Sequence, residues 1–367
     1  MIRFLTIRNY RAFKNFSLGQ TARVNLIVGT NNSGKSSLLE AIYLLTSDSP
    51  SLSLMYILSE RGEFASRVDD PRSDRRYFGE YLVSHIFNGH VLEKDRAIVI
   101  NSDSEDHLSL NISVRDVRIR ENELAQQSLF EDKKLEVDSR SKRLTFEQLK
   151  PNGEPNRESI IASSGLVSFR NYPRRVSIPE QNSRFVTTNF LAYDDLSLLW
   201  DSITLTPREE KVVEALQIIE PKVQRISFTS KQNSSSGVLL KIRGAEEPMP
   251  LSSMGDGMRR ILAVIASLVS VESGTLLVDE VDTGLHHTVL KDMWRLIFEV
   301  SARNNSQVFA TTHSWDCVRA FQQALKEMSN RDIGRLIRLE REDDQVEPIG
   351  YAAHELDIAI KQGIEFR

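Results

Sequence analysis

The sequence predicts an α/β fold on a largely parallel sheet, interrupted by an inserted α+β lobe. Three observations carry that prediction. Helix-type and strand-type segments alternate after Arg243, a glycine loop joins a compact apolar run to a helical one near the start, and the character of the chain changes between Ser51 and Asn182. Regular alternation is how a parallel sheet with flanking helices reads in sequence.

Taken in order, Ile2, Phe4 and Ile7, then Arg11, Phe13 and Phe16, read as short strands, and Val24 to Val28 as a buried strand. After the glycine loop, Leu38, Leu39, Ile42 and Leu45 recur at helical spacing, and Ser47 to Ser51 with Pro50 supplies a stop. The lobe, expected over 51–182, sets charge-rich turns such as Asn101 to Asp106 between alternating runs such as Leu108 to Val114. The head is expected over 1–50 and 183–367. There Val223 to Thr229 and Val238 to Arg243, split by the Ser- and Asn-rich Lys231 to Gly237, read as a hairpin. Ile261 to Val271 is a helix, Thr275 to Val278 a buried strand, Val289 to Ser301 a helix and Val308 to Ala310 a further buried strand. No internal repeat or heptad run is present.

Composition narrows the function classes. With 40% hydrophobic and 27% charged residues, the chain is neither disordered nor fibrous. A net charge of -4 advertises no polyanion partner, so any nucleic-acid contact must rest on local features. One cysteine, Cys317, makes no internal disulfide, and Met1 to Phe13 lacks the apolar run of a signal peptide, which together predict a cytoplasmic protein. The longest apolar stretch, Ile261 to Val269, is far below the roughly 20 residues of a membrane span, so no membrane partner is expected.

Gly29-Thr-Asn-Asn-Ser-Gly34-Lys35-Ser36 fits the phosphate-loop pattern G-x-x-x-x-G-K-[ST] between a predicted strand and a predicted helix. Gly29, Asn31, Asn32, Ser33, Gly34, Lys35, Ser36 and Ser37 are the nucleotide-binding candidates. Backbone N–H groups converge on phosphate oxygens, Lys35 adds positive charge, and the Ser36 hydroxyl can ligate magnesium. No Asn-Lys-x-Asp guanine-reading motif follows, which favours ATP over GTP.

Two carboxylates close the Leu276-Leu-Val-Asp279-Glu280 strand, a costly arrangement unless a cation or water uses them. Asp279 would hold magnesium and Glu280 would polarise the attacking water. Thr311-Thr312-His313-Ser314 ends the next apolar run, and carboxyl ends of neighbouring parallel strands share one crevice, which places His313 near the γ-phosphate. Leu251-Ser-Ser253-Met-Gly255-Asp-Gly257 then feeds the Ile261 helix as a second anion-type loop.

These elements, in this order and with Asp282 after the acidic pair, resemble the ABC ATPases. Within them the chain is most similar to the RecF-, OLD- and SMC-like group, an AAA family ATPase without a TOPRIM nuclease domain. Ile7-Arg-Asn-Tyr-Arg-Ala-Phe13, Gly29 to Leu39 and the Ser253-Met-Gly-Asp-Gly form carry the narrower likeness, which covers roughly the first 50 residues and those from about Ala192 onward. The resemblance implies an ABC-type P-loop nucleotide-binding fold that hydrolyses ATP with Mg2+. It implies a head-to-tail homodimer, extendable to a higher oligomer, in which Ser253 and Gly255 reach the γ-phosphate held by the other subunit and Asp282 lines the seam. It also implies that Arg11 approaches the nucleotide. Asn32 and Met254 replace common glycines, and the glutamine that usually meets magnesium has Gln181 as its one weak candidate.

Function beyond ATP hydrolysis is expected to reside in the lobe. Arg67, Arg72, Arg75 and Arg76, and Arg170, Arg174 and Arg175, lie near Tyr77, Phe78, Phe169 and Tyr172, a mixture that suits nucleic acid but more often marks a solvated face. About 54 residues follow His313, too few for an appended nuclease domain, and Glu342, Asp343 and Asp344 read as a solvated hairpin turn. The expected function is an ATP-gated sensor or regulator of a separately encoded effector, a nuclease or toxin, in antiphage defence or DNA maintenance. A direct nucleic-acid clamp and a transport-coupled ATPase subunit are the alternatives.

Overall fold

The computed structural model describes residues 1–68, 77–94, 96–103, 107–116, 142–149, 155–162, 166–170, 183–189, 193–229, 237–343 and 345–366. The chain divides into two compact units. Met1–Phe4, Ser17–Asp48 and Glu180–Arg367 form the first, Leu5–Phe16 and Ser49–Pro179 the second.

The first unit is organised by a six-stranded sheet in the order Ser183–Val186, Thr275–Val278, Gln307–Thr311, Val24–Gly29, Gly334–Glu342, Gln345–Tyr351. The first five strands run parallel, and the last returns antiparallel from its neighbour through the turn at Asp343, which adopts φ 52. The strands Val24–Gly29, Thr275–Val278 and Gln307–Thr311 are buried at every position, as strands covered on both faces must be. Register aligns Val186 with Val278, Val278 with Ala310, and Ala310 with Leu26, so the four strands finish side by side at one edge. At the opposite edge Asn25 and Gln307 are hydrogen-bonded. Asn25 accepts from the Ala22 amide at 2.8 Å and donates to the Ala22 and Val308 carbonyls, and Gln307 donates to those of Ile2 and Ala22.

Helices cover this sheet. Lys35–Thr46 follows the glycine loop, His287–Arg303 and Trp315–Glu327 alternate with strands, and Asp256–Ser270 places Ile261, Leu262, Val264, Ile265 and Leu268 in the core. The expected hairpin is present as Val223–Phe228 paired antiparallel with Val238–Ile242. Trp294 meets Phe321 edge-on at 4.9 Å and Phe298 at 6.3 Å, a geometry that adds directional attraction to area burial. Among the described residues no helix is long and apolar enough to cross a membrane.

The second unit holds a six-stranded sheet ordered Phe13–Leu18, Phe4–Tyr10, Ile98–Asp103, Ser109–Asp116, Lys142–Leu149, Pro155–Ala162, and a three-stranded sheet ordered Leu166–Arg170, Tyr77–Leu82, Phe64–Val68. The helix Pro50–Glu60 belongs to it as well. The alternating run around Leu108 to Val114 is the strand Ser109–Asp116, with Leu110, Ile112 and Val114 buried. The amino-terminal strands, which sequence alone groups with the head, are here strands of the larger sheet beside Ile98–Asp103. Local pattern specifies a strand, whereas its partner lies almost a hundred residues away and is chosen by the exposed edge it meets.

Candidate nucleotide site

The glycine loop is held by its backbone. Gly29 adopts φ 143, and a Cβ there would lie 2.4 Å from the Leu339 carbonyl oxygen and 2.9 Å from Ser33 Oγ, so no other residue fits. Asn32 sits at φ 63, the left-handed conformation that asparagine tolerates better than most residues, and Gly34 at φ 93 opens the helix. That helix has no side-chain cap and no acid in its first turn, which leaves its leading N–H groups for an external acceptor. Ser33 Oγ is buried with no hydrogen-bond partner. An uncapped helix start, an orphaned hydroxyl and a glycine cradle fit a phosphate chain.

Lys35 is almost fully buried and donates to the carbonyl oxygens of Gly29 and Thr30 at 2.9 and 2.8 Å. Burial lowers its pKa to about 8, against the opposing pull of Asp279 and Glu280. His313 is held below its ordinary value by burial and by Lys35, while Glu280, Asp279 and Asp282 act the other way. The loop lysine, the acidic pair, Asp282 and the histidine therefore share one electrostatic neighbourhood, at the edge where the strands end.

Two adjacent threonines organise the carboxylates. Thr311 Oγ1 donates to Asp279 Oδ1 at 2.5 Å and accepts from the Glu280 amide at 2.8 Å. Thr312 Oγ1 donates to Asp282 Oδ1 at 2.6 Å and accepts from the Ser314 amide at 2.9 Å. Thr283 Oγ1 donates to Glu280 Oε2 at 3.1 Å. Glu280 itself has φ 48, a strained conformation for a side chain of its size that persists only where the surroundings fix it. The Asp282 carboxylate is thus turned towards Thr312, and it also helps to push the pKa of the buried Cys317 thiol up, although burial contributes more.

Ser36 is half-buried in the first turn of the loop helix, and Asp279 keeps one oxygen beyond the Thr311 bond. No group of three or more His, Cys, Asp or Glu side chains forms a metal cage among the described residues. A hydroxyl and a carboxylate without a cage suit magnesium, which is usually held by one or two protein ligands together with phosphates and water.

The second loop has the opposite character. Ser253 and Gly255 are exposed, Gly255 adopts φ 85, and the helix Asp256–Ser270 starts with no side-chain cap. A Cβ on Gly257 would lie 2.7 Å from the Gly284 carbonyl oxygen, so this helix start and the turn after Asp282 approach as closely as two glycines permit. One turn further on, Arg260 is only 1% exposed. It donates to the carbonyl oxygens of Thr187 at 2.7 Å, Glu280 at 3.0 Å and Asp279. Sequence reasoning missed this residue. The signal was its spacing, four and eight residues before Val264 and Leu268 on the apolar face.

Two further candidates remain. Arg11 belongs to the second unit and forms a bidentate pair with Glu63 at 2.9 and 3.1 Å. Gln181 lies outside the described residues, as do Arg72, Arg75, Arg76, Tyr172, Arg174 and Arg175.

Comparison with known proteins gives the family and the fold. The family model described as "AAA domain, putative AbiEii toxin, Type IV TA system" matches residues 24–316. A protein named ATP/GTP phosphatase from Helicobacter pylori (strain ATCC 700392 / 26695) is 24% identical over 383 residues, spanning 97% of each chain. A solved SMC head bound to the C-winged helix domain of ScpA matches with a TM-score of 0.50 at 13% identity, over 98% of this chain and 99% of that one, which is a likeness of fold. From the phosphate loop to the strand-end histidine, and across most of its length, the chain belongs to this AAA_21 family of P-loop ATPases.

Proposed function

We propose that the chain is an ATP-gated switch: two copies close head to tail on two ATP molecules, and the closed dimer regulates a separately encoded effector in antiphage defence or DNA maintenance. The observation that carries the dimer is the division of phosphate-binding features within one chain. Lys35, Asp279, Glu280 and His313 share one neighbourhood, whereas Ser253 and Gly255 stand exposed at a separate, uncapped helix start. Uncapped N–H groups at an exposed helix start can bind a negatively charged ligand brought by another molecule, and the Asp256 charge in that turn is offset by Arg259 at 3.6 Å.

In this mechanism the loop amides and the Lys35 ammonium hold the β- and γ-phosphates, and Glu280 takes the proton of the attacking water. Magnesium, held by Ser36 and Asp279, supplies charge neutralisation on the phosphate oxygens when bound. His313, kept neutral near pH 7 by its lowered pKa, serves as a hydrogen-bond partner to the γ-phosphate. The effector half of the proposal draws on the second compact unit and on a family description that names a toxin–antitoxin system.

The dimer is tested by turnover against protein concentration. Phosphate release per molecule is expected to rise with concentration and to level off where sedimentation shows an ATP-dependent dimer. A constant rate per molecule from a strict monomer would remove the shared site.

One observation favours a second reading, a direct nucleic-acid clamp. Backbone register in the three-stranded sheet sets Arg67 and Arg170, a hundred residues apart in sequence, both opposite Phe78. Salt-dependent DNA binding by the full chain, lost in a variant with both arginines neutralised, would favour the clamp over the regulator.

A further inference from the structure

We propose that Arg260 is a positioning residue that carries the position of the Ser253–Gly257 loop to Glu280, and so makes the partner's phosphate at that loop a condition for catalysis at this chain's own site. The second half of this statement rests on the head-to-tail dimer proposed above.

The connection is short at both ends. Arg260 lies one helical turn after Asp256, where the helix begins behind Gly255. Its guanidinium donates to the backbone of Asp279 and Glu280 and to Thr187 at the end of the neighbouring strand. The fork of an arginine can satisfy several carbonyls from one rigid plane, which a flexible ammonium cannot. Burial lowers its pKa to about 10, while Asp279, Asp282 and Glu280 oppose the shift, so it stays charged at physiological pH.

Glu280 is the residue that needs such a hold. Its backbone sits at φ 48, and four bonds fix it: Thr311 Oγ1 accepts from the amide, Thr283 Oγ1 donates to the carboxylate, and the Thr283 amide and the Arg260 guanidinium both donate to the carbonyl. Thr311 ends a strand and Thr283 lies in the turn after Glu280, both at the catalytic edge. Arg260 alone comes from the helix behind Ser253 and Gly255. A small shift of that helix start therefore moves the Glu280 carbonyl, and with it the carboxylate that must align water. Close packing of Gly257 against the Gly284 carbonyl leaves little slack to absorb the shift elsewhere.

The experiment is a double-mutant cycle in the full chain with Arg260→Lys and Ser253→Ala, read as kcat and KM for ATP. Arg260→Lys keeps the charge and most of the stem, so folding is retained while the fork is lost. It is expected to lower kcat about 100-fold, the scale set by misplacing a catalytic group by about 1 Å, with KM within about threefold. A residue that served stability alone would lower the melting temperature and leave kcat in place. Ser253→Ala should lower kcat in the parent chain but change it less than about threefold once Arg260 is lysine, because the link is already cut.

Near-normal kcat in Arg260→Lys, or losses that multiply in the double variant, would overturn the inference. A Ser253→Ala chain with full turnover would instead show that the dimer proposal had failed. Should Arg260→Lys not fold, amide exchange decides. ATP is expected to protect 256–262 and 279–283 together in the parent chain, and Ser253→Ala to release both. Protection at 279–283 that survives Ser253→Ala would count against a link through Arg260.

Discussion

Glu280→Gln is expected to lower phosphate release by about 100- to 10,000-fold, the usual contribution of a positioned general base, while ATP binding is retained or strengthened. The substitution changes charge and little else. Glutamine occupies the same volume, its side-chain carbonyl can still accept from Thr283 Oγ1, and the backbone at φ 48 keeps its bonds to Thr311 Oγ1 and Arg260. What disappears is a proton acceptor and one negative charge in the neighbourhood of Lys35 and His313. Less negative charge beside an anionic γ-phosphate means less repulsion, so the nucleotide should dissociate more slowly. Binding without turnover should then accumulate the closed dimer, visible as a doubled mass in sedimentation with ATP and as parent-like monomer without it. Turnover within about threefold of the parent chain would take Glu280 out of the chemistry. Lost turnover with no gain in dimer would separate hydrolysis from closure.

The parts of this site legible in the sequence are those whose physics is local. Thr275–Val278 could be placed to the residue because a threonine and three apolar residues ended by two acids have few other uses, and the structure buries all four positions. The glycine loop was legible for the same reason, and Asn32 adopts the left-handed backbone that its residue type permits. The hairpin around Gly237 followed from composition alone. Long-range choices were not legible. Nothing in Phe4–Tyr10 announces that its strand neighbour is Ile98–Asp103, since any compatible sheet edge satisfies the same pattern.

Thr311 and Thr312 illustrate the same limit at the site. Both read as polar residues closing a strand. Alternation of side chains sends one hydroxyl to Asp279 and the next to Asp282, and that division depends on which strand lies alongside. Arg260 was hidden for another reason. Charged residues near a helix start ordinarily face water, and the backbone carbonyls of Thr187, Asp279 and Glu280, just beyond the ends of two strands, make its burial tolerable.

Lys35→Ala is expected to weaken ATP binding about 100-fold or more, the scale for truncating one partner of a buried charge-assisted pair. The alanine removes the bonds to the Gly29 and Thr30 carbonyls together with the cation on which the phosphates depend. Titration distinguishes this electrostatic role from mere packing. Burial sets the Lys35 pKa to about 8, below its ordinary 10.5, so the folded chain begins to lose the proton near pH 8 while an unfolded chain keeps it to above pH 10. Between those values the unfolded state binds more protons, and stability gains with rising pH from this group. Nucleotide affinity moves the other way, because phosphate binds the charged form. The dissociation constant for ATP should be flat below about pH 7 and then rise, approaching tenfold per pH unit above pH 8 until the pKa of the bound form is reached. His313 is already neutral over that range, since its pKa lies below the usual histidine value, and so adds no slope. Lys35→Arg keeps a permanent charge at the cost of fit and should bind weakly with no pH dependence between pH 7 and 9. An equal rise in the dissociation constant for the arginine variant would assign the titration to another group and remove the depressed lysine from ATP recognition.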